Sequence, residues 1–196
     1  MIGLRVKLEG EKRLAKLLNG NAKKVRQQMK MAVNATAKQA VNVWAAAISK
    51  EIAVTQKAVK GTIKIVRKAD NNWLRSTLRQ RKEKNRIPLK QFKPKQDASG
   101  VGYTIKRGSK GFLPSGFIVK SLGNHVFKRD GPKIKMTKGV NKGQDKQRIF
   151  KQYGPSPWGV SAKNNLKIPV TLESKEILIK QIDRRIRAVL KKQGAI

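Results

Sequence analysis

The sequence predicts an α+β fold, in which long N-terminal and C-terminal amphipathic helices flank a central antiparallel β meander of four or five strands. Two long segments repeat apolar residues at steps of three and four, as helices do, and the segment between them alternates with a period of two. We expect one domain of 196 residues. It would comprise a helical N-terminal segment over residues 1–60, a meander over 61–129, an extended loop over 130–168 and a helix over 169–196.

The N-terminal segment contains the clearest helix, over residues 21–53, with Asn21 as its N-cap. No Gly or Pro interrupts its apolar face, which consists of Val25, Met29, Ala32, Val33, Thr36, Ala40, Trp44, Ala47, Ile48 and Ile52. A helical turn is expected at Leu14–Leu18, and a second at Gln56–Lys60 with Thr55 as its cap. Small residues on the long helix would let another backbone approach closely, either in the same domain or in a neighbouring subunit.

The closing helix is expected to begin with Thr171 or Ser174 as its N-cap and to end at Gly194. Acidic residues lie in its first half and basic residues in its second, an order that suits the helix dipole. Its expected buried stripe consists of Leu178, Ile182, Ile186 and Val189.

The meander is predicted from alternating segments separated by turn residues. The segments from which these four or five strands are expected are Ile63–Lys68, Trp73–Arg79, Ile87–Phe92, Val101–Ile105, Phe117–Val119 and His125–Phe127. In the first of them, Ile63, Ile65 and Arg67 should share one face. Pro88 restricts the Ile87–Phe92 segment to a sheet edge or a strand start. After the meander, Gly and Pro recur through 130–168, which predicts a long loop that is functional or ordered by a partner.

Positive charge dominates the composition, with 47 Lys or Arg against 11 Asp or Glu and a formal net charge of +36. Such a surplus repels itself in a compact chain unless a polyanion neutralises it. A membrane partner is not expected, because no apolar run reaches about 18 residues. With no cysteine and one histidine, the chain offers no thiolate or His-rich metal site. We expect no metal, no cofactor and no catalytic residue, and we interpret His125 as an ordinary strand histidine.

The cations form three groups, at 75–95, 106–110 and 128–138, which would lie at strand ends and loops and could form one continuous positive rim. The first group contains nine Lys or Arg and one Glu. No base-reading motif accompanies them, so we expect contact with duplex DNA phosphates without sequence preference. The candidate DNA-binding residues are Arg75, Arg79, Arg81, Lys82, Lys84, Arg86, Lys106, Arg107, Lys110, Lys128, Arg129, Lys133 and Lys135.

Three stretches, in chain order, carry a resemblance to a known family. The first is Ala32 to Ile52 with the following Val54–Lys60. The second begins at Ile87-Pro88-Leu89-Lys90-Gln91-Phe92. It continues through Gly100–Arg107 and Phe117-Ile118-Val119 and ends at Val126-Phe127-Lys128-Arg129. The third is Ile149–Pro157, with its Tyr153-Gly154-Pro155-Ser156-Pro157 turn. Together they resemble the phage minor tail protein Z family and, more loosely, head–tail completion proteins. Trp158-Gly159 and the many lysines depart from that pattern.

The resemblance implies a structural, non-enzymatic virion protein at the head-proximal end of the tail, assembled in the host cytoplasm. Its implied partners are the tail terminator, tail tube or neck proteins and the genome end, and it would form a homo-oligomeric ring. One alternative is a free, non-specific nucleic-acid-binding protein of a ribosomal or nucleoid kind. A metal-dependent nuclease is disfavoured because its clustered carboxylates are missing: the acidic residues Asp70, Glu83, Asp97, Asp130 and Asp145 stand apart in the sequence.

Overall fold

The computed structural model describes residues 2–7, 22–80, 86–106 and 108–192. The turn expected at Leu14–Leu18 and the caps expected at Asn21 and Gly194 lie outside these ranges. The chain forms two compact units, which differs from the single domain that we expected. Unit 1 comprises Met1–Lys50, Gln56–Asn85 and Pro157–Ile196, and unit 2 comprises Glu51–Thr55 and Arg86–Ser156.

The fold is α+β, as predicted, and its sheets are antiparallel. Unit 1 contains the strands β1 (Ile2–Lys7), β2 (Ile63–Arg67) and β3 (Arg75–Gln80). Its helices are α1 (Ala22–Glu51), α2 (Gln56–Lys60), α3 (Pro157–Lys163) and α4 (Lys167–Lys192). Helix α1 ends at the boundary with unit 2. Unit 2 contains β4 (Lys95–Gln96), β5 (Gly100–Lys106), β6 (Ser109–Pro114), β7 (Gly116–Val119), β8 (His125–Lys135) and β9 (Asp145–Lys151). Within the described ranges, no helix has both the length and the apolar character needed to cross a membrane.

Helix α1 confirms the prediction for residues 21–53, and its apolar stripe is the centre of the unit 1 core. Val25 and Met29 pack with Leu74 of the β2–β3 connection, and α4 covers this cluster with Ile182, Ile186 and Leu190. The indole N–H of Trp44 donates to the Ser161 hydroxyl of α3 at 3.2 Å. The two long helices are therefore joined through one apolar core.

The N-cap expected at Thr171 or Ser174 is wrong, because α4 already begins at Lys167. The Thr171 hydroxyl donates to the Lys167 carbonyl oxygen at 2.7 Å, a bond back to the preceding turn that a threonine makes inside a helix. Val170, one residue before Thr171, is buried. The burial of Val170, whose N–H donates to the Leu166 carbonyl oxygen at 3.3 Å, accounts for the earlier start.

The single meander of four or five strands is also wrong. The described strands form three three-stranded sheets, ordered β1-β3-β2 in unit 1 and β4-β5-β6 and β7-β8-β9 in unit 2. Ser115, with a positive φ of 56°, lies between β6 and β7 where the chain passes from one sheet to the next. The strand expected at Ile87–Phe92 is one bridge from Pro88 to Tyr153 followed by a 3-10 turn, because proline has no N–H with which to extend a ladder.

The extended loop expected at 130–168 is wrong as well. Strand β8 continues to Lys135, β9 returns from Asp145, and α3 begins at Pro157. Gly131 lies within a register shift between Arg129 and Lys133 and does not end the strand. Gly139 and Gly143, both with positive φ, lie in the turn that joins the two strands. Glycine here permits a hairpin tip, since it adopts positive φ without steric cost.

Candidate nucleic-acid interface

The turn between β2 and β3 positions a group of basic side chains in unit 1. The Asp70 carboxylate accepts the N–H groups of Asn72 and Trp73 at 2.9 and 2.7 Å. The Asp70 N–H in turn donates to the Trp73 carbonyl oxygen at 3.0 Å. An Asp at the start of a turn commonly fixes the backbone in this way, and here it holds Trp73 at the surface with 44% of its area exposed.

Two arginines lie on the Trp73 ring. The guanidinium carbons of Arg67 and Arg75 are 4.5 and 4.3 Å from the ring centroid. The Arg67 guanidinium is also 3.9 Å from the Asp70 carboxylate. Stacking on an aromatic ring orients a guanidinium while leaving its in-plane N–H groups able to donate to a planar or tetrahedral anion. The three side chains therefore present two pre-oriented cations.

The side chains of strand β3 alternate between a buried face of the unit 1 sheet and a basic face. Ser76, Leu78 and Gln80 are buried on one side. Arg75, Thr77 and Arg79 alternate with them, and Arg79 is exposed. Across the sheet, Lys64 is paired with Arg79 and Arg67 with Thr77, and residues paired in this way share a face. We call Lys64, Arg67, Trp73, Arg75 and Arg79 the sheet-face cluster.

The position of Arg67 corrects the expectation that it shares the core face with Ile63 and Ile65. The β2–β3 register shifts between Ile65 and Arg67, so that Ile65 is paired with Leu78 and Arg67 with Thr77. Since Leu78 and Thr77 are neighbours in β3, their side chains point to opposite faces. A β-bulge thus turns Arg67 from the core to the basic face.

The thirteen candidate DNA-binding residues are divided between the two units. Unit 1 contains Arg75 and Arg79, and unit 2 contains Arg86, Lys106, Lys110, Lys128, Arg129, Lys133 and Lys135. Arg81, Lys82, Lys84 and Arg107 lie outside the described residues. All nine described candidates are exposed except Arg75 and Lys128, which are half-buried. The continuous rim stays a prediction, whereas Arg75 and Arg79 belong to the sheet-face cluster.

In unit 2 the basic candidates other than Arg86, which lies outside the strands, occupy two hairpins. Lys106 and Lys110 flank the β5–β6 turn at Gly108, as expected, and Lys110 is paired with Thr104. Arg129 in β8 places its guanidinium 5.4 Å from the Phe117 ring centroid. Lys133 and Lys135 lie further along β8, in its exposed half. Lys133 and Lys135 are therefore carried by a regular strand, not by the loop that we expected.

His125 lies at the start of β8, as the strand histidine that we predicted. The Lys151 ammonium is 3.1 Å from its Nε2 atom. Burial lowers the pKa of His125, and the positive charges of Lys151 and Lys90 lower it further. Across the described ranges, no group of three or more His, Asp or Glu is placed to hold a metal ion.

The sequence missed Lys64, Arg67 and Trp73 as partners of Arg75 and Arg79. The sequence contains one signal for this cluster, a tryptophan between two arginines and close to an Asp-Asn-Asn turn. Only the strand register, however, brings Arg67 beside Trp73. No protein-family model, curated protein or solved structure matches the chain. The function is therefore inferred from the residues themselves.

Proposed function

We propose that the chain is a non-enzymatic structural protein of a phage tail, located at the head-proximal end, that binds duplex genome DNA through its phosphates. It would assemble on tail terminator or neck proteins as a ring of identical subunits. The phosphate contacts would be independent of base sequence, because backbone contacts carry no sequence information directly.

One observation carries the DNA-binding component of this proposal. The sheet-face cluster holds Arg67 and Arg75 against Trp73 while the opposite face of the same sheet is buried. Side-chain ordering is among the costs of binding, and the ring reduces that cost for both guanidiniums. The formal net charge of +36 also favours binding to a polyanionic partner.

The tail assignment rests on the resemblance to the minor tail protein Z family. Two of the stretches that carry it contact each other: the Leu89 N–H donates to the Gln152 carbonyl oxygen at 3.0 Å, and the Gly154 N–H donates to the Ile87 carbonyl oxygen at 3.0 Å. The Pro88 turn and the Tyr153-Gly154-Pro155 turn are thus one structural feature. This contact supports the interpretation of both stretches as components of one motif.

The test of DNA binding is the affinity for a 30-base-pair duplex DNA, measured over a range of salt concentrations. The logarithm of the binding constant should fall linearly with the logarithm of salt, by about 0.9 per phosphate contact. The double variant R67Q/R75Q should therefore have a slope shallower by up to about 1.8. The matched control K175Q/K180Q, with two exposed α4 lysines, should keep the original slope. Affinity that ignores salt would overturn the proposal.

The tail assignment needs a separate experiment. In phage particles produced by a host that carries the gene, an antibody against the chain should label the head-proximal end of the tail. The purified chain should also bind the tail terminator of the same particle. A monomer that binds DNA but is missing from the particle would favour the free nucleic-acid-binding alternative.

A further inference from the structure

The outer portion of the β8–β9 hairpin has no core of its own. We call the segment Arg129–Arg148 the β-arm. All of its residues are exposed except Asn141 and Gln147, which are half-buried. Isolated two-stranded hairpins are marginally stable in water. The β-arm is held together by the ladder between β8 and β9. Backbone hydrogen bonds close its tip, where the Met136 N–H donates to the Gln144 carbonyl oxygen at 3.0 Å and the Gly143 N–H donates to the Met136 carbonyl oxygen at 2.8 Å.

The β-arm carries cations on both of its faces. In β9, Lys146 and Arg148 lie on one face and the alternate residues Asp145 and Gln147 on the other. The register pairs Lys133 with Gln147 and Lys135 with Asp145, which places both lysines on the second face. The segment contains seven Lys or Arg and two Asp, a net charge of +5. Each face is therefore positively charged.

The exposed apolar side chains of the hairpin lie on both faces, but unequally. Ile134 is paired with Lys146, on the face that continues to Phe150, and Met136 follows Ile134 on that face by strand alternation, whereas Ile149 lies on the opposite face. On the first face Lys146 and Arg148 alternate with the apolar residues, so it is not purely apolar. The two-sided distribution of the cations favours a slot with similar walls on both sides.

We propose that the β-arm enters the major groove of duplex DNA, with Lys133 and Lys135 facing one phosphate wall and Lys146 and Arg148 facing the other. The major groove of B-form DNA is about 12 Å wide and admits a two-stranded β-ribbon. Both walls of the groove are lined by phosphates, which matches cations on both faces. This inference rests on the proposed function, to which it adds a particular element and a particular groove.

The test compares two four-site variants by their binding to duplex DNA. K133Q/K135Q/K146Q/R148Q removes the cations from both faces of the β-arm, and the control K167Q/K175Q/K180Q/K191Q removes four exposed lysines of α4. The β-arm variant should have a salt slope shallower than the wild type by up to about 3.6, at about 0.9 per phosphate contact. The control should keep the wild-type slope. Circular dichroism should show unchanged folding, and the tip variant K138Q/K142Q provides a second, milder test.

Duplex RNA of the same sequence distinguishes groove entry from simple charge attraction. The major groove of A-form RNA is too narrow for side chains to read, so the β-arm variant should lose no more RNA affinity than the control loses. Methylation of guanine N7 by dimethyl sulfate provides a direct probe of the major groove. The wild type should protect N7, and the β-arm variant should not.

The outcomes separate this inference from the proposed function. A wild-type chain that binds no DNA overturns both. If the wild type and R67Q/R75Q behave as proposed while the β-arm variant matches its α4 control, only the groove inference is overturned. Equal losses on DNA and RNA also overturn it. So does a β-arm variant that binds DNA normally but no longer binds the tail terminator, because the arm then contacts an acidic protein surface.

Discussion

The carboxamide of Asn34, in helix α1, is hydrogen-bonded twice to the backbone of Ala69. Its Nδ2 donates to the Ala69 carbonyl oxygen at 2.9 Å, and its Oδ1 accepts the Ala69 N–H at 2.8 Å. Ala69 is buried just beyond the end of β2, where the backbone has left the strand ladder. One helix side chain thus replaces the missing strand partner and ties α1 to the turn that carries Trp73.

Replacement of this carboxamide should destabilise unit 1. Asn34→Ala leaves a buried N–H and a buried carbonyl of Ala69 without their partner, at about 1–3 kcal/mol for each unsatisfied group. We expect the free energy of unfolding in urea to fall by about 2 kcal/mol. Asn42→Ala, at an exposed position of the same helix, is the control and should change it by less than about 0.5 kcal/mol. Equal losses in the two variants would contradict the role assigned to Asn34.

Trp73 should contribute to DNA affinity without contributing charge. In Trp73→Leu, Arg67 and Arg75 lose the ring that orients them, and each exposed cation–π contact is worth about 0.5–1 kcal/mol. We expect the affinity for duplex DNA to fall roughly fivefold, which corresponds to about 1 kcal/mol. The salt slope should stay unchanged, because the number of cations is the same.

Two further variants make the tryptophan test specific. Leu172→Ala removes an exposed apolar side chain from α4 and should leave DNA affinity unchanged. Trp73→Phe keeps an aromatic face and should recover some of the loss. A shallower slope in Trp73→Leu would show that phosphate contacts themselves had been lost, contrary to a purely orienting role for the ring.

The sequence predicted α1 and the stripe of α4 because amphipathic periodicity records which residues are buried. Val25 and Met29 on α1 and Ile182 and Ile186 on α4 pack in one cluster, as their spacing indicated. Strand β1 was not predicted, because its short segment is defined by pairing with β3, a contact that local pattern does not contain. The same reason explains Arg67, whose face depends on a register shift against β3.

The β-arm was predicted as a loop because nothing in it is buried. Strand alternation becomes visible in a sequence when one face contacts a core, and here Lys133 and Lys135 alternate with other exposed residues. Gly139 and Gly143 indicated a break, whereas their positive φ angles form a tip between paired strands. The candidate site was therefore predicted as a set of cations, and its arrangement on two strands was not.

His125 should make the stability of unit 2 depend on pH. Its pKa is lowered by burial and by Lys151 and Lys90, so the unfolded chain binds this proton more tightly than the folded chain does. The stabilisation is therefore present above the ordinary histidine pKa of about 6.5 and is lost as the pH falls towards the folded pKa. We expect the free energy of unfolding to decrease between pH 7 and pH 5.5, above the range in which carboxylates titrate.

His125→Gln should remove this decrease, since no imidazole is left to titrate. Lys151→Gln removes the nearer cation and should reduce the decrease without abolishing it. A decrease of the same size in the wild type and in His125→Gln would assign the pH dependence to another group.

Gly154 should tolerate no side chain, because it lies against the ring of Phe92. A Cβ atom at this position would overlap the ring carbons Cε2 and Cζ, and Phe92 is fully buried. Gly154→Ala must therefore displace a packed ring or the strand-like backbone that bonds to Ile87, and overpacking of this kind costs about 1–3 kcal/mol. Gly102→Ala is the matched control in unit 2, since the nearest atom to its added methyl would be the Lys95 carbonyl oxygen at 3.8 Å.

A double-mutant cycle assigns the cost of Gly154→Ala to the ring. Phe92→Leu removes the overlapping ring carbons and itself destabilises the fold, because it buries less apolar surface. In that background the added methyl group has room. We expect Gly154→Ala to cost at least about 1 kcal/mol less beside Leu than beside Phe, within the range of about 0.5–3 kcal/mol found for residues in contact. Purely additive losses would mean that the backbone at Gly154, not the Phe92 ring, excludes the methyl group.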